Sequence, residues 1–189
     1  MAEEPENIAV GSGMIYTTDF TPGTAIPENT IIETEANRLG YIKNGATLTY
    51  TPTSETFKDD LGLIMRTKLT EEEVTFKFGL ISWFYGKLDQ LCSTCRVTDT
   101  PTGRTVKIGG VDNDDGKQHL FRFVHKDKAA GDVRITIVGT NTGGLALTYS
   151  PTDPNMPEPE ITAAPSDGEG TLVLLDITDP GAGEVGGGV

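Results

Sequence analysis

Four features of the 189-residue chain have residue types and spacing that could do chemistry. They are "CSTC" (Cys92 and Cys95), the histidines His119 and His125, the acidic run "DNDDG" from Asp112 to Gly116, and the glycine-rich "GTNTGGLA" over 139–146. A C-x-x-C pair does redox work when it opens a helix beside a βαβ unit, where the helix dipole lowers the thiol pKa. Here it follows an expected helix and sits at the opposite pole. Zinc would need two further ligands, and the only histidines lie six residues apart on one expected strand, about 20 Å from each other. Two buried, reduced thiols is therefore the reading. No Ser or Asp is arranged around either histidine in a recognisable motif. "DNDDG" lacks the twelve-residue calcium pattern with its closing Glu and reads as a β-turn. "GTNTGGLA" lacks phosphate-loop spacing and opens no helix. No catalytic constellation remains, so no enzyme activity, metal or cofactor is expected.

The elements that would carry these residues are strands. Thr occurs 27 times, mostly in runs that alternate with apolar residues, which favours a half-buried pleated surface. Strand-like runs recur between turn signals: "GMIYTT", "TLTYTP", "GLIMRTKL", "EVTFKFGL", "TVKIGG", "HLFRFVH", "VRITIVG", "LALTYS" and "TLVLLDI". This spacing predicts an all-β sandwich or barrel. Val74, Phe76, Phe78 and Leu80 alternate with Glu73, Thr75 and Lys77, whereas Leu120 and Val124 oppose Phe121 and Phe123. The second strand is apolar on both faces and needs covering. One helix is predicted over about 82–93, capped by Ser82, with Phe84, Leu88 and Leu91 on one face.

The predicted organisation is an N-terminal arm (1–13), a β domain (14–177) and a Gly-rich tail (178–189) with no reason to fold alone. Pro-rich linkers are expected at 20–30 and 150–160. "GATLTYTPT" (45–53) echoes "GLALTYSPT" (144–152), through chance and shared strand chemistry or through two equivalent strands. No run reaches the ~20 apolar residues of a membrane span. The acidic N-terminus lacks signal-peptide character, so a soluble protein made in the cytoplasm is expected.

The net charge of −13 is uneven: residues 1–37 and those after Arg134 contain no Lys or Arg. Such a balance argues against a protein that grips phosphates. It fits either solvated acidic ends or a surface that keeps an anion from sticking. Within the middle, residues 55–84 read as part of a long hairpin with an arm over about 50–69 and an acidic tip. Leu63, Met65, Thr67 and Leu69 share one expected face, with Ile64 opposite among Arg66 and Lys68.

The order "LGYIKNGATLTYTPTSETFKDDLG", "TEEEVTFKFGLISW", "RTVKIGG", "FVHKDKAAGDVRITIVGTNTGG" and "GTLVLLD" resembles the major tail tube protein of long-tailed (siphovirus-type) bacteriophages, over about residues 10–178. The second cysteine of "CSTC" is not part of that pattern. The resemblance implies a mainly β fold: a two-sheet sandwich or half-barrel with one flanking α-helix and a long hairpin arm, its inner strands completing a multi-subunit β-barrel. It also implies hexameric rings stacked into a tube that conducts double-stranded DNA from capsid to host without specific binding. A tape measure protein and tail terminator or tip proteins would be partners. The chain would reside in the virion, and in the host cytoplasm during assembly, without inserting in a membrane. On this reading Phe57, Leu63, Ile64, Met65, Arg66 and Lys68 are inter-subunit contact candidates. Glu33, Glu35, Glu55, Asp59 and Asp60 are candidates to line an acidic lumen. A phage-derived injection device or gene-transfer particle fits the same residues, and a β-sandwich adhesin or carbohydrate-binding module is the alternative from another class.

Overall fold

The structure, a computed structural model, describes residues 12–127 and 131–178. The expected arm over 1–13, apart from Ser12 and Gly13, and the expected tail after Thr178 lie outside the described residues. The chain is mainly β and sandwich-like, as the alternating Thr-rich runs predict. Its strands are β1 (Met14–Phe20), β2 (Arg38–Lys58), β3 (Met65–Trp83), β4 (Arg96–Thr100), β5 (Gly103–Lys107), β6 (Gln118–His125), β7 (Val133–Asn141), β8 (Glu160–Ala163) and β9 (Val173–Ile177). A single turn of helix, α1 (Asn29–Ile32), lies between β1 and β2.

Six of the strands form a ring. Antiparallel pairing runs β6-β1-β2-β3-β8-β7, and β7 pairs back to β6, so the sheet closes on itself within one chain. β9 adds to the edge of β7 beside β8, and β4 and β5 form a separate two-stranded sheet. The ring encloses Ile15, Leu39, Val74, Phe76, Phe78, Leu80, Phe121, Ile137 and Ile161, all buried. Phe76 is the hub, with ring centroids 5.4 Å from Phe78 and 6.2 Å from Phe123. Gly139 is required where β7 meets β8, because a Cβ there would collide with the Thr162 carbonyl oxygen.

The two-faced strand β6 is covered from within. Its inner face, Phe121 and Phe123, belongs to the ring core, while Leu120 and Val124 pack outside with Tyr16, Phe20, Ile32, Val138 and Ile26. The cover is the segment 21–37, including the Pro-rich stretch expected to be a linker. It is pinned by charge. The Glu33 carboxylate lies 2.7 Å from Arg134 and 3.5 Å from Arg122, and Arg122 donates to Asn29 Oδ1 at 2.6 Å. Arg122 is 1% exposed. Burial pushes its pKa down, and the adjacent Glu33 acts in the opposite direction.

Four expectations are corrected. The helix over 82–93 is a 3₁₀ helix, Tyr85–Gln90: Ser82 belongs to β3 and Phe84 is the extended residue before the helix. Leu88 and Leu91 are buried as the periodicity predicts, but Phe84 is exposed. "LALTYS" (145–150) is not a strand, so the echo of 45–53 does not extend to structure. Alternation makes a strand only where a neighbour offers an edge, and the base of β3 is taken by β8. Finally, the end of the expected 150–160 linker is docked. The carbonyls of Pro157 and Pro159 accept from Leu80 and Phe78 of β3 at 3.0 and 3.3 Å. A proline can line an edge in this way because the pairing uses only its carbonyl.

Candidate functional site

Beyond the ring, β2 and β3 continue together as an arm. They pair from Gly40↔Trp83 out to Lys58↔Met65, with the chain reversing over 59–64. Eight residues of β2, Thr51 to Lys58, carry the arm about 25 Å past the core at ~3.3 Å per residue. Every residue from 49 to 73 is exposed. β2 pairs with β1 only near Met14–Tyr16, and β3 pairs with β8 only over Thr75–Lys77. In the arm both outer edges therefore carry backbone groups with no strand beside them among the described residues.

The arm's faces follow from register. On β2, Ala46, Leu48 and Tyr50 face the core side opposite Phe78, Phe76 and Val74; Pro52, Ser54, Thr56 and Lys58 continue that face. The partners on β3 are Glu72, Leu69, Thr67 and Met65. The opposite face carries Thr51 with Glu73, Thr53 with Glu71, Glu55 with Lys68, and Phe57 with Arg66. Between the two stretches Thr70 is an extra residue, a bulge whose hydroxyl donates to the Thr53 carbonyl at 3.1 Å. Two hydrogen bonds tie the core-side face together: Thr56 to Thr67 at 3.0 Å and Tyr50 to Glu72 at 3.2 Å.

Met65, Thr67 and Leu69 share a face, and Arg66 and Lys68 share the other, as the sequence predicts. Leu63 and Ile64 differ: they lie in the turn, not on the strand. The turn is closed by Asp59, whose carboxylate accepts the Ile64 N–H at 2.7 Å and whose own N–H donates to the Ile64 carbonyl at 3.1 Å. Asp59 is thus spent on the reversal. The tip presents an apolar group, with Phe57 58%, Leu61 80%, Leu63 80%, Ile64 73% and Met65 64% exposed. Lone exposed apolar residues are ordinary, but here five cluster at the tip, three in the turn and Phe57 and Met65 at the strand ends beside it.

The acidic candidates separate. Glu33 is corrected: it is mostly buried between two arginines and faces no open surface. Glu35 is exposed but bound to Arg38 at 2.6 Å, away from the arm. Glu55 lies on the arm's polar face, and Asp60 is exposed at the tip. Sequence reasoning missed Glu71 and Glu73, which join Glu55 and the threonines on that face. The available signal was the placement of Glu73 opposite the Val74 face.

A second concavity of about 240 Å³ lies at one end of the ring, lined by Gln90, Cys92, Ser93, Lys117, His119 and Asn141 among others. His119 Nδ1 lies 3.1 Å from an exposed Asp19 oxygen, without hydrogen-bond alignment. The Cys92 thiol meets the Thr94 hydroxyl at 3.6 Å. His125 sits at the far end of β6, with Nδ1 2.8 Å from the Ser12 carbonyl. Among the described residues no group of three or more His, Cys, Asp or Glu is placed to hold a metal ion, and no helix is long and apolar enough to cross a membrane. Comparison with protein-family models and with curated proteins finds no match to this chain.

Proposed function

We propose that this chain is the repeating subunit of a hollow tube, of the bacteriophage tail type, whose inner wall is built from arms set side by side. The observation that carries this reading is the arm itself: fully exposed, with both edges open, on a body whose own strands already close into a ring. Open edges left unpaired invite uncontrolled pairing, so a protein that keeps two of them has a partner for them. A second copy is the partner that fits. Because β2 and β3 are antiparallel, hairpins placed edge to edge give an all-antiparallel wall that closes with no edge left over.

The two faces of the arm suit a wall with different sides. The core-side face, with Tyr50, Pro52, Leu69 and Met65, would lie toward the bodies of the subunits. The other face would line the channel with Thr51, Thr53, Glu55, Glu71 and Glu73, and toward the tip with Lys68, Arg66 and Phe57. Lys77, at the base of this face, is neutralised by Glu158 at 3.1 Å. Glu71 and Glu73, paired with threonines rather than cations, would repel phosphates over about a Debye length, ~8 Å at physiological salt, so double-stranded DNA would pass that level without being held. The apolar tip, Phe57, Leu63, Ile64 and Met65, would seat on the adjoining ring, with Arg66 and Lys68 beside it. Hexameric rings, a tape measure protein inside, tail terminator or tip proteins at the ends, and residence in the virion after assembly in host cytoplasm belong to the same reading. The protein would act as a conduit rather than an enzyme.

The test is electron microscopy of the purified protein beside a variant in which residues 55–68 are replaced by Asn-Gly. Ser54 and Leu69 are direct partners, so a two-residue turn joins them without changing register. Hollow filaments from the native chain and folded monomers from the variant are expected. Monodisperse native monomers under all conditions would instead favour an adhesin-like β module.

A further inference from the structure

We propose that Cys92 and Cys95 are a disulfide-forming pair, closed in the folded protein by exchange with a small-molecule disulfide. The segment is a β-turn: the Cys95 N–H donates to the Cys92 carbonyl at 2.9 Å. Such a turn holds its first and last Cα atoms within about 7 Å, overlapping the ~4.4–6.8 Å that a disulfide spans. The turn is also held in place from outside. Asp115 N–H donates to the Ser93 carbonyl at 3.2 Å, and Asn141 Nδ2 donates to the Leu91 carbonyl at 2.8 Å. Closure therefore needs side-chain rotation and little movement of the backbone.

The two cysteines are unequal, and that sets the order of events. Cys92 is half-buried and lines the cleft with Lys117 and His119, where a reagent can reach it. Cys95 is 8% exposed, and burial, with the neighbouring Cys92 thiol, pushes its pKa up to about 12. The Cys92 thiolate attacks the reagent disulfide R–S–S–R, forming Cys92–S–S–R and releasing one RS⁻. Cys95 then loses its proton and attacks the Cys92 sulfur, releasing the second RS⁻. Two protein thiols become one disulfide, and the reagent is reduced by two electrons to two thiols. The product fixes the turn from which β4 leaves the 3₁₀ helix. The second step is slow at neutral pH because little Cys95 thiolate is present.

The experiment treats the folded wild-type chain with oxidised glutathione, quenches in acid, and measures intact mass and alkylation by iodoacetamide after unfolding. The expected product is lighter by two hydrogens, resists alkylation at both positions, and is restored by dithiothreitol. Folded Cys95→Ser should stop at a glutathione adduct on Cys92, while folded Cys92→Ser should stay unmodified until denatured. Two alkylatable thiols remaining in the treated wild type would overturn the proposal. So would covalent dimers as the main product, or a Cys92→Ser chain that reacts as fast as Cys95→Ser. The readout is made on monomer and does not depend on whether tubes form.

Discussion

Removing the apolar tip should abolish assembly and leave folding untouched. The perturbation is Phe57, Leu63, Ile64 and Met65 all changed to Ser. These side chains are 58%, 80%, 73% and 64% exposed. Full burial of such a side chain stabilises by about 1.5–3 kcal/mol, so covering the exposed part of each contributes roughly 1–2 kcal/mol, or about 4–8 kcal/mol per arm. Association costs consume much of this, yet losing even ~2.7 kcal/mol raises a critical concentration about a hundredfold. The monomer should be spared, because exposed substitutions usually change stability by about 0.5 kcal/mol or less each. The assays are a urea melt of monomer and sedimentation with electron microscopy across a concentration series. Tubes forming at the wild-type critical concentration would refute the placement of the joint at the tip. A monomer weakened by more than about 2 kcal/mol would refute the claim that the tip serves no contact within its own chain.

Other outcomes follow from the body and from charge. Glu33→Gln leaves Arg122 and Arg134 buried without their shared carboxylate, so the urea-melt stability should fall by about 3 kcal/mol; a loss below ~1 kcal/mol would mean the cluster is held by other partners. Cys95 is held neutral in the fold up to about 12 while its ordinary value is 9.0, so its contribution is complete below pH 9 and declines as pH rises from 9 toward 12. Replacing it with Ala should make the alkaline limb of the stability–pH curve shallower, and an unchanged limb would argue against a buried thiol. Each copy carries −13, so moderate salt should promote polymerisation by screening long-range repulsion. Light scattering that falls steadily with salt would point to ion pairs as the main contacts.

What the sequence disclosed, and what it hid, divides along local and non-local physics. The Val74–Leu80 alternation identified a core strand because each residue's face there depends only on its own strand. The arm's length was legible for the same reason, from two alternating runs around an acidic turn. The bulge at Thr70 was not. Counting by twos back from Val74 places Lys68 and Arg66 on the core side, but one inserted residue flips the parity and brings Leu69, Thr67 and Met65 there instead. Burial of Glu33 was hidden because its partners, Arg122 and Arg134, are about a hundred residues away in sequence. β8 was missed because four residues with one buried Ile carry no period, and its place is fixed by β3 and β7 on either side.

That bulge also bears on how folding and assembly are kept apart. The ring closes through β6–β7 and is covered outside by the 21–37 segment, so both buried apolar clusters are completed within one chain. The arm contributes almost nothing to that closure: none of its residues between 49 and 73 is buried. Were Thr70 paired in the regular alternation, Leu69 and Met65 would lie on the same face as Glu71 and Glu73. With it, Thr51, Thr53, Glu55, Glu71 and Glu73 share one face with Lys68, Arg66 and, near the tip, Phe57, and Tyr50, Pro52, Leu69 and Met65 gather on the other. A bulge that re-aims side chains in mid-strand has no use to a hairpin whose two faces meet only water. It has one if the faces meet different things, a channel on one side and protein on the other. Exchanging identities in place, Met65→Arg with Arg66→Met and Lys68→Leu with Leu69→Lys, should therefore leave the monomer's melt unchanged, since all four positions are exposed, while placing the apolar pair on the carboxylate face. Filaments of normal width from that variant would show that the two faces are equivalent, and the assignment of a channel side to this arm would fail.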